Sequence, residues 1–244
     1  MLRNLYCYIC TYFHVMNRFF AVLFLLFISS KGSAQIHEVG LFLGGANYIG
    51  DVGPTNYIAP KEPAVGILYK WNRSPRHAWR ASFTHAKIAS NDADSDMSSR
   101  KQRGYKFENT VKEVSLGLEF NFFEFNLHEP EVKVTPYVYG GLSYFWYDEQ
   151  YMFNGNGRAY KDKSNSDIAI PMVVGIKSNL LENFVIGLEV GARYTLTDNL
   201  DASFPESDTY QHLRFGNLDS DDWYVFTGIT LTYTFGDKPC YCAN

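Results

Sequence analysis

Residues Asp222 to Phe235 read DWYVFTGITLTYTF. Trp223, Val225, Thr227, Ile229, Leu231, Tyr233 and Phe235 fall on one face, and Tyr224, Phe226, Gly228, Thr230, Thr232 and Thr234 on the other. Alternation held over about thirteen residues is the mark of a β-strand with two unlike faces. Strands of soluble sheets run to about five or six residues, whereas a strand crossing a bilayer at a tilt of roughly 45° needs about 9–11. The segment predicts a membrane-crossing strand that ends on an aromatic residue.

Seven earlier segments can be read as strands of the same kind, at residues 38–48, 63–71, 78–89, 113–123, 134–146, 168–177 and 184–196. The connections between the eight run long, short, long, short, long, short, long, the longest covering 197–221. This order predicts an all-β chain: an eight-stranded antiparallel up-and-down transmembrane β-barrel with long extracellular loops and short periplasmic turns. An even strand count brings both ends of the mature chain to the periplasmic side. Trp71 and Trp79 flank a short turn, and Trp146, Tyr147 and Trp223 stand near long loops, which predicts membrane-interface aromatics at two levels. An aromatic share of 17%, with 18 Tyr and 19 Phe, suits such a wall.

On the faces opposite the apolar ones stand Lys70, Arg80, Glu119, Glu189 and Arg193, with Gly66, Gly117, Gly187 and Gly228 beside them. Eight strands enclose a space that side chains fill, so an ion-paired lumen network is expected and an open channel is not. A catalytic carboxylate pair from Glu119 and Glu189 is the sharper alternative, but nothing in the pattern shows that the two meet.

The amino-terminal region needs sorting from the fold. From Met16 the chain reads MNRFF, AVLFLLFISS and KGSA, a basic start, an apolar core and a small-residue end. This predicts a signal peptide over residues 16–34 with cleavage after Ala34, and a mis-assigned upstream extension over residues 1–15. The barrel is expected over residues 35–235 and a periplasmic tail over 236–244. An exported chain without a later apolar run of about 18 residues is free in the periplasm, secreted or a barrel; the strand pattern makes the outer membrane of a Gram-negative bacterium the expected location.

Little points to chemistry. His37, His77, His85, His128 and His212 lack the spacing that presents two imidazoles to one metal. Asp92, Asp94 and Asp96 begin like a calcium loop, but Met97 and Arg103 stand where Gly and Glu belong, so a solvated acidic loop tip is expected. No nucleotide-binding or serine-hydrolase motif occurs. No enzyme, cofactor, metal, nucleic acid or small-molecule substrate is expected; a barrel enzyme would need an acid/base cluster, with His85 and Glu119 as candidates. Cys7 and Cys10 precede the signal core. Cys240 and Cys242 follow the last strand in GDKPCYCAN, where they form a bond to another chain or a regulated local bond, or else stay idle thiols or a strained local disulfide.

The segments EVGLFLGGANYIGDVG (from Glu38) and YTFGDKPCYC (from Tyr233) resemble the PorG-like outer-membrane proteins of the type IX secretion system of Bacteroidetes. The resemblance implies a structural barrel in contact with outer-membrane lipids. It also implies association with a periplasmic ring, built from a lipoprotein and its partner, that supports cargo export and, in some members, gliding motility. Cys240 and Cys242 carry over as periplasmic contact or cross-link points, and Gly50 and Asp51 as turn-forming residues. The alternative is a small OmpA-like barrel acting as an adhesin or envelope-stability protein.

Overall fold

A computed structural model describes residues 36–127, 131–153, 157–181, 183–217 and 219–236. The upstream extension, the signal peptide and its cleavage point, His128 and the cysteine tail lie outside the described residues. Eight strands follow in order: β1 (Ile36–Ile49), β2 (Glu62–Asn72), β3 (His77–Asn91), β4 (Lys106–Asn121), β5 (Val134–Met152), β6 (Ala159–Leu181), β7 (Phe184–Thr195) and β8 (Trp223–Phe235). Each pairs antiparallel with the next, and β1 pairs with β8 from Ile49↔Trp223 to His37↔Phe235, closing the barrel. Closure leaves no open sheet edge, the condition a strand structure must meet in hydrocarbon, where unpaired backbone groups find no water.

The wall is inverted relative to a soluble sheet. Leu41, Leu43, Ile67, Leu116, Leu142, Val174 and Leu188 are each more than half exposed on its outside. The inward neighbours include Lys70, Arg80, Glu119 and Glu189, all almost wholly buried. Burial of charge inside and exposure of aliphatics outside is favourable only when hydrocarbon surrounds the sheet. Among the described residues no helix is long and apolar enough to cross a membrane. The 13 residues of β8 span about 40 Å at ~3.3 Å each, and about 30 Å of height at the ~40° tilt usual for such barrels, near their ~25 Å apolar band.

Aromatic residues ring this band at both ends. At the short-turn end Tyr69, Trp79, Phe184, Tyr233 and Phe235 are exposed, and Trp71, half-buried beneath the Arg73 guanidinium at 5.0 Å, pairs across strands with Trp79. At the long-loop end Tyr144 and Trp146 are exposed, and Trp223 packs on Tyr194 with ring centroids 5.0 Å apart. Tyr147 corrects the expectation. Trp146 points outward, so its neighbour must point inward, and Tyr147 is buried with its hydroxyl 3.3 Å from Thr197 Oγ1.

The long loops also differ from the reading. β4 starts at Lys106 rather than near Glu113, and β5 and β6 continue as a hairpin to Met152 and Ala159, where a loop over 147–167 was expected. In these extensions the inward residues Phe107, Asn109, Val111 and Met152 stay buried. Their outward neighbours, such as Glu108, Thr110 and Lys161, are polar, as suits strands rising above the lipid. The apolar half of the alternation is lost there, which is why the sequence resembles a loop.

Candidate functional site: a sealed lumen under an acid-rich cap

Within the lower barrel Lys70, Arg80, Glu119, Lys177 and Glu189 form one connected network of buried charges. Glu119 lies at its centre and accepts from Lys70 Nζ at 3.0 Å and from Lys177 Nζ, with Arg80 Nη1 3.6 Å away. Arg80 also donates a two-pronged pair to Glu189, at 2.7 and 2.8 Å, and Tyr137 Oη donates to the same carboxylate at 2.6 Å. One level further out, Arg193 reaches Glu113 at 3.3 and 3.5 Å, covers the Phe226 ring at 4.3 Å, and shares Glu113 with Tyr224 Oη at 2.6 Å. Glu38 accepts from Asn72 Nδ2 and Thr232 Oγ1. In the lower barrel, below the buried Glu149 of the β5 extension, four carboxylates (Glu38, Glu113, Glu119, Glu189) thus stand against four cations (Lys70, Arg80, Lys177, Arg193), all buried. Such parity is what makes the desolvation of so many charges bearable.

Small residues make room for these long chains. At Gly175 a Cβ would lie 2.6 Å from the Tyr137 ring, so only glycine lets that phenol lie flat against β6 and reach Glu189. The cavity left between Phe42, Leu68, Arg80, Glu189, Arg193 and Phe226 measures about 10 Å³, the size of one water. Below the network Phe125, buried, closes the inner mouth, its ring 5.0 Å from Lys177 Nζ. Above it the lumen turns apolar: Phe42, Tyr48, Ile88, Phe107, Phe145, Tyr224 and Phe226 form a core on which Val52 and Leu200 sit as a lid.

That lid belongs to the first and fourth outer loops, residues 50–61 and 196–222. Its backbone amides are held by carboxylates. Asp201 accepts from Val52 N at 3.0 Å and Ser203 N at 2.9 Å; Asp222 accepts from Leu200 N at 2.9 Å and from Tyr48 Oη; Asp51 accepts from Asn217 N at 3.0 Å. Gly53, at φ +84°, turns the first loop so that its own N–H reaches Asp92 at 2.8 Å. Asp94 and Asp96 are exposed as expected of an acidic loop tip, but Asp92 is fully buried and takes two hydrogen bonds from Arg103 at 2.7 and 3.0 Å. Arg103, one of the two residues that break the calcium pattern, is therefore the one that neutralises its first member.

Acids outnumber bases in this cap. Asp51, Asp92, Asp201 and Asp222 are buried and Asp198 half-buried, against the half-buried Arg100 and Arg103. Burial, reinforced by Asp201, Asp51 and Asp221, pushes the Asp198 carboxyl up to about 8. Burial and the nearby Asp201 also hold Asp222 well above the usual carboxylate range. Asp51 is raised too, by burial and Asp201, against the opposing pull of the Asn217 amide, Arg100 and Arg103. Among the described residues no group of three or more His, Cys, Asp or Glu has the arrangement of a metal site.

The profile of the family described as "Domain of unknown function (DUF6089)" matches residues 17–244. The chain belongs to that family. No curated protein matches the sequence. Among solved structures this DUF6089 chain is similar to Ail, the attachment invasion locus protein of Yersinia pestis, at 12% identity over 82% of this chain and 97% of that one, with a TM-score of 0.41. Neisserial surface protein A shows 10% identity over 83% and 98%, with a TM-score of 0.45. The N-terminal β-barrel domain of Pseudomonas aeruginosa OprF shows 13% over 84% and 100%, with a TM-score of 0.41.

The five lumen residues anticipated from sequence, Lys70, Arg80, Glu119, Glu189 and Arg193, all face the interior of the DUF6089 barrel, four of them in one network and Arg193 with Glu113. Glu38, Glu113, Lys177, Tyr137 and Tyr224 were missed. Each lies at an even step from a residue that was found or on the same inward face, so strict bookkeeping of strand parity would have named them. His85 and Glu119 are not brought together: His85 pairs with Lys112 and Glu119 with Ala78, and they point to opposite sides of the wall. Cys240 and Cys242 lie outside the described residues.

Proposed function

We propose that this barrel is a structural outer-membrane component of a type IX secretion apparatus, a sealed anchor that fixes a periplasmic ring to the membrane and performs no chemistry. The observation that carries the anchoring half of this reading is the blocked lumen, charge-paired below and capped by Val52 and Leu200 above. A barrel of this kind offers surfaces rather than a passage. The secretion half rests on the resemblance of residues 38–53 and 233–242, with Cys240 and Cys242 as the points that hold the ring lipoprotein or its partner. Replacing both cysteines with Ser tests it: ring components should fail to co-purify from mild detergent, and cargo export should fall, while barrel insertion is unchanged. Full retention of ring and export in that variant overturns the reading. In planar bilayers the purified protein should give no conductance steps.

The adhesin reading has one observation in its favour. The β5–β6 extension, the first outer loop and the second outer loop (residues 92–105) border an open groove of about 770 Å³ whose lining is mixed in charge, Lys61, Lys106, Arg158 and Lys161 against Glu62, Asp94 and Glu108. Normal secretion by the double Ser variant, together with altered surface binding on substitution of Lys106, would favour that role.

A further inference from the structure

The first outer loop divides at Gly53. Its first half turns inward over the mouth, whereas residues 56–60 lie against the outward side of β1. Outward positions on β1 are Val39, Leu41, Leu43 and then Gly45 and Asn47, and the first three are about half exposed on the apolar wall. Gly45 points the same way, and a Cβ there would lie 2.6 Å from Pro60 Cβ, so the loop passes directly over it. Asn47 is only 5% exposed for the same reason. Its amide donates to the Asn56 carbonyl at 2.9 Å and the Tyr57 carbonyl at 3.4 Å, and accepts from Ala59 N at 3.3 Å.

The height of this contact matters. Leu43 pairs with Ile229, both exposed aliphatics of the lipid-facing band, and Ile49 pairs with Trp223 in the outer aromatic ring. Gly45 and Asn47 lie between these levels, about 7 and 13 Å along the strand from Leu43, or roughly 5 and 10 Å higher at the tilt of such barrels. An amide there without protein partners would lose hydrogen bonds where the wall meets the membrane boundary. The loop satisfies that amide and presents its own surface in its place. That surface is Tyr57, 78% exposed, and Ile58, 61% exposed, within a stretch free of charge from Val52 to Pro60. A phenol beside an aliphatic chain is the pairing favoured at a lipid headgroup boundary.

We propose that residues 56–60 form a membrane-contacting strap, with Tyr57 and Ile58 inserted into the outer leaflet at the headgroup boundary. The inference rests on the membrane-spanning reading of the barrel and adds a lipid-binding element to it. Test: replace all four native cysteines with Ser, introduce single cysteines for nitroxide labelling at Ile58, at Leu41 on the wall and at Ser99 on the exposed helix Ser98–Arg103, and reconstitute each in phospholipid vesicles. Relaxation by dissolved oxygen against a water-soluble nickel chelate reads depth. At position 58 the oxygen-to-nickel ratio should exceed that at position 99 several-fold and fall below that at position 41. A ratio at 58 equal to that at 99, with 41 buried in lipid, overturns the strap; a water-exposed 41 overturns the membrane reading instead. Tyr57→Cys serves as the second labelling site if the Ile58 variant folds poorly, and the same ratios decide.

Discussion

The lower lumen and the outer cap are both buried, polar and built from residues distant in sequence, yet they balance charge differently. In the lower lumen four buried carboxylates are balanced in number by four buried cations, and Glu119 alone answers to Lys70, Lys177 and Arg80. In the cap Asp51, Asp92, Asp198, Asp201 and Asp222 crowd together against the half-buried Arg100 and Arg103, with Arg214 turned instead to the Pro205 carbonyl and the Phe204 ring, and backbone amides do much of the remaining work. Matched charges fix a structure whose integrity depends on both partners being present. A surplus of one sign makes a structure whose tightness depends on protons. The barrel that sits in lipid is thus built to be permanent, and the lid over it to be adjustable.

The strongest challenge to this contrast is Glu119→Gln. It strands three cations around a neutral amide, and loss of one member of a buried charged cluster costs about 3–5 kcal/mol. Urea unfolding in detergent micelles should show the loss, with the cap's protection from protease reduced only as the barrel itself opens. Arg103→Ala is the next in size. It removes two charge-assisted hydrogen bonds from the fully buried Asp92 and should loosen the first and second outer loops by roughly 1.5–3 kcal/mol while leaving barrel unfolding near that of the unchanged protein. Hydrogen exchange at the Gly53 and Tyr105 amides, both bound to Asp92, would register it.

The pH dependence sharpens the comparison further. Asp198 has a carboxyl pushed up to about 8 in the fold from an ordinary value of 3.8. The folded cap therefore binds protons that the opened loop releases, and the resulting stabilisation is full below about pH 4 and lost as pH rises through about 8. Proteolysis within residues 196–222 should quicken between pH 5 and pH 9, whereas the lumen-dependent unfolding midpoint should change little. Asp198→Asn should flatten that rise. Smallest of all is Lys61→Ala, which breaks a pair with Asp94 that is about half exposed at both ends and should shift stability by no more than ~0.5 kcal/mol. A larger effect would mean that the cap leans on surface pairs.

Much of the wall could be read from alternation alone, because lipid imposes an apolar residue at every second outward position. The inner half of the chain's polar residues was partly legible for the same reason: Arg80 and Glu119 sit where parity puts them inside. Which charges meet was not legible. Arg193 and Glu113 are 80 residues apart and meet only because the barrel closes. Tyr147 was misplaced by a single step of the pleat, and Lys106–Lys112 was read as loop because above the membrane the outward face becomes polar.

The sequence by itself determined a closed transmembrane sheet, its strand order and its two aromatic levels, since these follow from local periodicity and connection length. Only the tertiary structure decided that four buried carboxylates of the lower lumen are balanced by four cations, that the cap carries an excess of acid, and that the first loop runs half inward and half along the outer wall. Those outcomes depend on which side chains closure brings within hydrogen-bonding reach, and distances across a barrel are not encoded in any single strand.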